Sequence, residues 1–172
     1  MNVQIRPYQS EDSTSILEII NYNILNSTAL YDYSPRTIAQ QIAIFQDKID
    51  KGFPIIVAEE EGNIVGFAYY SEFRFREAYK FTVEHSVYAH PNHIGKGIGK
   101  LLLNELIALA KAQNLHTMIG VIDSENESSI SFHEKFGFKK QGVLTDTGYK
   151  FDRWLHSVFM QKMLWIYFSI QS

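Results

Sequence analysis

The chain predicts an α+β domain, a mixed and mostly antiparallel sheet with helices on both faces. Three observations carry that expectation. The hydrophobic period switches repeatedly between two and about 3.6, in the order β-α-α-β-β-β-α-β-α-β-β. With 172 residues, 45% of them hydrophobic, the chain fills one core without outside help, so one domain over residues 1–172 is expected. No repeat, Ser/Gly linker or charge block interrupts the pattern, and a 20% charged fraction argues against disorder.

Each element has its own signal. Val3 and Ile5 alternate with polar neighbours ahead of Pro7, a short strand. Ser10 and Asp12 then cap a helix whose apolar face is Ile16, Leu17, Ile20 and Ile24. Ser34 as N-cap and Pro35 in the first turn open a second helix, with Ile38, Ile42, Phe45 and Ile49 as its stripe and Gly52 as its end. A hairpin follows: Pro54 to Ala58, a polar turn over 59–63, and Ile64 to Ser71. Phe81 to Ala89 is the next strand, with Val83, His85 and Val87 on one face and Thr82, Glu84, Ser86 and Tyr88 on the other. After a glycine-rich loop comes a helix carrying Leu102, Leu106, Leu109 and Ala110. Met118 to Ile122 reads as a strand, Asn126 to Phe136 as a helix closed by Gly137, and Gly142 to Met163 as a final strand pair.

Composition narrows the function. Sixteen basic against 19 acidic side chains leave a formal charge of −3, so no global field recruits nucleic acid or an anionic membrane. Any anion must be held by local chemistry. The absence of cysteine removes disulfides, thiolate metal sites and cysteine nucleophiles, and fits a reducing cytoplasm. Met1 to Tyr8 lacks a signal-peptide apolar region, and the longest apolar run, Met163 to Phe168, is far short of the roughly 20 residues of a membrane helix.

Local chemistry is offered between Gly95 and Gly99, where a strand meets a helix N-terminus with free amides and a favourable dipole. Two common phosphate loops fail against these letters. A nucleoside-triphosphate loop ending at Gly99-Lys100 needs Gly where Ile94 stands and Ser or Thr where Leu101 stands. A dinucleotide fingerprint counted from Gly95 and Gly97 needs its third Gly at Lys100. What remains is Gly-x-Gly-x-Gly behind a strand ending Val87-Tyr88-Ala89. About 30 residues on come Asn126-x-x-Ser129 and Phe132-His133-Glu134-Lys135-Phe136-Gly137-Phe138. A glycine turn that merely caps a helix is the bland alternative.

Together these stretches resemble the GCN5-related N-acetyltransferases over Val3 to about Met163, with the element order of that acyl-CoA N-acyltransferase fold. Asn26-Ser27-Thr28-Ala29, Thr82 to Tyr88, Gly148-Tyr149-Lys150 and Arg153-Trp154-Leu155 further resemble the phosphinothricin acetyltransferase group. That group acetylates the α-amine of glutamate-like amino acids or of methionine-derived sulfones and sulfoximines. The resemblance implies acetyl-CoA as co-substrate and no metal. It places the cofactor along Val87, Tyr88 and Ala89, over Gly95, Lys96, Gly97, Ile98, Gly99 and Lys100, and beside Asn126 and Ser129. One letter departs: the family usually begins its loop with Arg or Gln, and this chain has Ile94.

Acetyl transfer to an amine needs a base, support for an oxyanion and a proton for the departing thiolate. Glu84, on the polar face of the strand leading into the loop, is the candidate base, matching the group at that position. A backbone amide near Val87 or Tyr88 is the candidate oxyanion donor. His133 stands where most of the superfamily has the Tyr assigned to the thiolate, and it completes the candidate catalytic set. Arg74 and Arg76, two apart, point to one side of an extended chain and suit a substrate carboxylate, and Tyr31 suits a pocket wall. His85, His90, His93 and His133 could instead converge on a metal, but no short HExxH pattern exists. The expected activity is acetylation of a small amino acid by a homodimer, the dimer following from the group resemblance and the apolar run at 163–168. Peptide or polyamine acetylation, and a non-catalytic acyl-CoA sensor, are the alternatives.

Overall fold

The structure, a computed structural model, describes residues 2–165. Its elements follow the expected order: β1 (Val3–Pro7), α1 (Ser13–Asn26), α2 (Ile38–Asp50), β2 (Ile55–Glu60), β3 (Asn63–Glu72), β4 (Thr82–Ala89), α3 (Ile98–Ala112), β5 (Thr117–Asp123), α4 (Glu127–Lys135), β6 (Lys139–Lys150) and β7 (Arg153–Met163). The seven strands form one sheet in the order β1-β2-β3-β4-β5-β7-β6. Every neighbouring pair is antiparallel except β4 with β5.

Strand alternation sends apolar side chains to both faces, and each face has its own core. Ile56, Ala58, Val65, Val83, Met118, Val158 and Met160 pack with Leu102, Leu103 and Leu106 of α3. On the other face Ile55, Val57, Phe67 and Tyr88 pack with Ile16, Ile19, Ile20 and Ile24 of α1 and Phe45 of α2.

Several boundaries move from their expected places. Before α1 a single 3-10 turn covers Ser10–Asp12; Asp12 leaves the helix uncapped and takes Arg6 Nη1 and Nη2, each at 2.8 Å. Ile19 is buried on α1 where Leu17 is only partly so. The N-cap of α2 is Thr37 and not Ser34. Thr37 Oγ1 accepts from Gln40 N at 3.3 Å while Gln40 Oε1 accepts from Thr37 N at 2.8 Å, a reciprocal pair that decides the start against Ser34-Pro35. This start turns Gln41 and Phe45 inward and leaves Ile38, Ile42 and Ile49 exposed.

The hairpin turn shortens to Glu61-Gly62, both with positive φ, because the flanking strands keep pairing to Glu60 and Asn63. Strand β6 begins at Lys139, three residues ahead of Gly142, and meets β7 through Phe151-Asp152, again both at positive φ. Of the apolar run at 163–168, Leu164 is buried and Met163 and Trp165 are about half exposed, while residues 166–172 lie outside the described residues.

Candidate active site

Strands β4 and β5 pair over Thr82, Val83 and Glu84 against Thr117, Met118 and Ile119, and then part. The register of β4 on β3 fixes which of its later amides are free. His90 N donates to Val65 O at 2.8 Å and Phe73 N donates to Thr82 O at 3.3 Å, so by antiparallel alternation the even-numbered amides turn to β3. The odd-numbered amides, Val87 and Ala89 among them, face the gap. Tyr88 spends its amide on β3 and its ring on Phe67, stacked at 5.1 Å, so of the two oxyanion candidates the geometry favours Val87.

A cavity of about 810 Å³ fills the gap, walled by the 28–31 loop, Glu84 to Ala89, the 93–100 loop, Gly120 to Asp123 and the first two turns of α4. At one mouth Gly95 and Gly97 both lie in the left-handed region, with φ of 80° and 83°. Gly97 is the N-cap of α3, so the amides of Ile98, Gly99 and Lys100 have no acceptor within the helix. Ile98 buries its side chain in the core and offers the mouth only backbone. A Cβ on Gly99 would stand 3.5 Å from the Phe132 ring, an ordinary contact distance. Lys100 lines the cavity whereas Lys96 does not, and Ile94 beside them is 70% exposed.

Glu84, Ser86, Tyr88, Tyr69 and Tyr31 meet inside the same cavity. Burial pushes the Glu84 carboxyl upward, and the charges of Lys48 and Arg74 pull it back in part. Lys48 Nζ lies 4.7 Å from the Tyr69 ring centroid. Tyr31 Oη is 3.4 Å from Ser157 Oγ. Arg74 and Arg76 are exposed on the loop between β3 and β4, against the rings of Phe73 and Phe75, and neither lines the cavity.

His133 and His85 form a buried pair, with Nε2 to Nε2 at 3.2 Å and rings stacked at 5.1 Å. The protons can be placed by elimination. Ser129 O only accepts, so His133 Nδ1 at 2.7 Å must carry hydrogen. Burial holds both rings below the ordinary histidine range, so His133 is neutral and its Nε2 is a lone pair that His85 Nε2–H donates to. The remaining His85 Nδ1 is buried without a partner. A Cβ on Gly120 would stand 3.1 Å from His85 Nε2 and 3.3 Å from His133 Nε2, so any side chain on β5 there would press on the pair. Asn126 caps α4, its Oδ1 accepting from Ser129 N at 3.1 Å, and Ser129 in turn orients His133.

A family model, the acetyltransferase (GNAT) family, matches residues 20–138. The chain belongs to that family. This GNAT chain is 40% identical over 162 residues to the L-methionine sulfoximine/L-methionine sulfone acetyltransferase of Pseudomonas aeruginosa, covering 94% of each. It is 36% identical over 161 residues to the phosphinothricin N-acetyltransferase of Alcaligenes faecalis, covering 93% of this chain and 82% of that one. The GNAT superfamily phosphinothricin acetyltransferase of Sinorhizobium meliloti, solved in complex with AcCoA, superposes with a TM-score of 0.91 at 41% identity, covering 95% of this chain and 89% of that one. The chain is a GNAT N-acetyltransferase.

Sequence reasoning missed His85 as the partner of His133, Tyr69 beneath Glu84, and Asp123, whose carboxylate is 3.5 Å from Arg153. The alternation that placed His85 on the face opposite Glu84 was legible; its approach to α4 depends on a crossing of elements 48 residues apart. Among the described residues no three His, Cys, Asp or Glu side chains converge as a metal set.

A Cβ at Gly97 meets nothing within 4 Å, but the positive φ strains any side chain there, so Gly97→Asp lowers the thermal midpoint modestly. Calorimetry on the folded variant shows CoA binding weakened by about tenfold or more, a carboxylate facing the phosphates. The histidine pair sets a second expectation. Both rings stay neutral in the fold while unfolded imidazoles protonate below about pH 6.5, so the unfolded state gains protons and stability falls as pH drops, by up to about 1.4 kcal/mol per unit for each ring. Urea midpoints between about pH 7.5 and 5.5 show that slope, and His85→Gln flattens it.

Proposed function

We propose that this chain, as one domain over residues 1–172, transfers the acetyl group of acetyl-CoA to the α-amine of a small free amino acid of the methionine sulfone, methionine sulfoximine or phosphinothricin type. One observation carries the reading: the parted strands bring a proton-accepting carboxylate, Glu84, and a free main-chain amide, Val87, to one cavity whose mouth is a helix N-terminus. The donor set fits acetyl-CoA. Left-handed Gly95 and Gly97 and the first amides of α3 suit a pyrophosphate, and the gap between β4 and β5 suits an extended arm whose amides pair with strand backbone. Asn126 and Ser129 stand beside that arm at the wall they share with His133. The relatives' names support the acceptor class.

The steps balance as follows. Glu84 takes one proton from the substrate ammonium, directly or through water, and its burial-raised carboxyl is the better base for it. The freed amine attacks the thioester carbon, and the Val87 amide receives the developing oxyanion. Collapse of the intermediate breaks the C–S bond, and the second proton on nitrogen passes to sulfur. His133 is neutral, so giving up a proton outright would leave an imidazolate. Both of its ring nitrogens are engaged, Nδ1–H by Ser129 O and the Nε2 lone pair by His85 Nε2–H, so the second proton reaches sulfur directly or through water while His133 walls the cavity. Arg74, whose charge reaches Glu84, is the candidate cation for the substrate carboxylate, with Arg76 beside it. Tyr31 closes the acceptor side.

A thiol-release screen tests the acceptor. Methionine sulfone, methionine sulfoximine and phosphinothricin release CoA faster than polyamines or peptides; the reverse order overturns the assignment. Glu84→Gln lowers turnover by about 10²–10⁴-fold with acetyl-CoA affinity kept, and it removes the acidic limb of the kcat/KM profile, which in the parent lies above the ordinary carboxylate range.

The assembly we propose is a cytoplasmic homodimer acting on small molecules, without nucleic acid or membrane. It is supported by the exposed Ile38, Ile42 and Ile49 on α2 and by half-exposed Met163 and Trp165. No helix among the described residues is long and apolar enough to cross a membrane. Light scattering at working concentration gives twice the chain mass; a monomer overturns the dimer.

A further inference from the structure

Lys150, the last residue of β6, is the least exposed lysine among the described residues, 4% exposed, and the chemistry above makes no use of it. Its Nζ donates to the carbonyl of Ser27 at 2.8 Å and to that of Leu30. These carbonyls bracket Thr28 and Ala29 in the loop joining α1 to α2, which has no helix or strand of its own. The same loop, from Thr28 to Tyr31, walls the acceptor side of the cavity. Two carbonyls drawn to one ammonium curl the loop about a point charge, and Asp32 adds a favourable charge from the same loop.

Other β6 residues seat the loop as well. A Cβ on Gly148 would stand 2.4 Å from Tyr31 Cε2 and 2.8 Å from Cδ2, so the Tyr31 ring occupies the space that glycine leaves. Tyr149 O accepts from Tyr33 Oη at 2.6 Å. Thr147 Oγ1 lies 2.8 Å from Ser157 Oγ, the group facing Tyr31 Oη. The backbone of 27–33 has thin support of its own, with Ser27 N donating to Asn23 O at 3.0 Å and Ala29 N to Ser27 Oγ at 3.2 Å.

We propose that Lys150 is a positioning residue for the acceptor: its buried ammonium, with Gly148 beneath Tyr31, fixes the 27–31 loop as the wall against which the amino acid binds. Burial of a cation is costly unless its hydrogens are matched, so the loop has one arrangement that satisfies Lys150 and many that do not. Lys150 therefore sets acceptor binding through the loop and leaves the cofactor mouth at Gly95–Gly99 untouched. The inference rests on the proposed acceptor class only in naming what the wall faces.

Lys150→Met keeps most of the stem and deletes the charge. Its KM for methionine sulfone rises by about tenfold or more, with KM for acetyl-CoA within about twofold and kcat at saturating acceptor within about threefold of the parent. Hydrogen exchange at 27–33 accelerates in the same variant, a readout that needs no turnover and stands if the acceptor proves to be another amine. Because the chain has no cysteine, Lys150→Cys can be alkylated at that one position with 2-bromoethylamine in denaturant and refolded, and the resulting thialysine restores both KM and exchange. Gly148→Ala, which displaces Tyr31 and leaves the ammonium in place, raises acceptor KM in the same direction should Lys150→Met fold poorly. Unchanged acceptor KM with unchanged exchange, or a parallel rise in both KM values, overturns the proposal. A parent enzyme inert to every amino acid, with exchange still accelerated in Lys150→Met, leaves this inference standing and removes the acceptor assignment.

Discussion

Parallel strands β4 and β5 share only three residue pairs, and every main-chain group beyond Glu84 and Ile119 must then find another partner or a ligand. The rest of the site follows from that shortage. Strand β5 satisfies its far edge on β7 as far as Asp123 against Ser157, and β4 satisfies its far edge on β3 as far as Ala89 against Gly66, so neither strand can shift to close the gap without breaking a ladder on its outer side. The opening is held from both flanks. Alternation along β4 then does two jobs at once: even positions send side chains to the α1–α2 face, where Glu84 and Ser86 meet Tyr69, while odd positions leave amides in the gap.

The opposite face carries the cost of the same opening. Where β4 and β5 part, His85 comes against α4, and its polar nitrogens must be matched away from water. The solution is a chain of single hydrogens, from His85 to His133 and from His133 to Ser129 O, which leaves one lone pair orphaned. A lone pair is the cheaper group to leave unmatched, since a second bound proton there would put a charge in the core. Gly120 is part of that arrangement because a Cβ there would press on both rings.

Element order and the Gly95–Gly99 mouth were legible from the letters because both rest on local signals, period and φ-permissive residues. The start of α2 was not: Ser34-Pro35 and Thr37-x-x-Gln40 are competing caps three residues apart, and the reciprocal bonds of Thr37 and Gln40 decide between them. That shift rotates an apolar stripe outward. The expected turn over 59–63 narrows to Glu61-Gly62, and the turn at Phe151-Asp152 has no local signal, because strand pairing imposes left-handed backbone on Glu61 and Phe151, residues with little preference for it. Motif alone singles out Glu84 and His133 as candidates, whereas the neutral state of His133 and its attachment to His85 depend on burial and on a contact between distant elements. The letters Gly148-Tyr149-Lys150 do not show that the Lys150 ammonium reaches the carbonyl of Leu30, 120 residues away.

A chain with a formal charge of −3 has no field to guide an anionic donor or a zwitterionic acceptor, so its electrostatics have to be made by placement. Helix α2 is part of how this is done. Its face bearing Lys48 leans over Tyr69, and Lys48 and Arg74 both act on Glu84 from outside the cavity. Were they closer, they would favour the ionised carboxylate more strongly and weaken it as a base; without them, burial would raise it further. Burial is the larger influence on Glu84 and the two cations are the correction. Burial on the cavity wall therefore raises the base, and Lys48 on α2 and Arg74 on the β3–β4 loop supply the opposing charge.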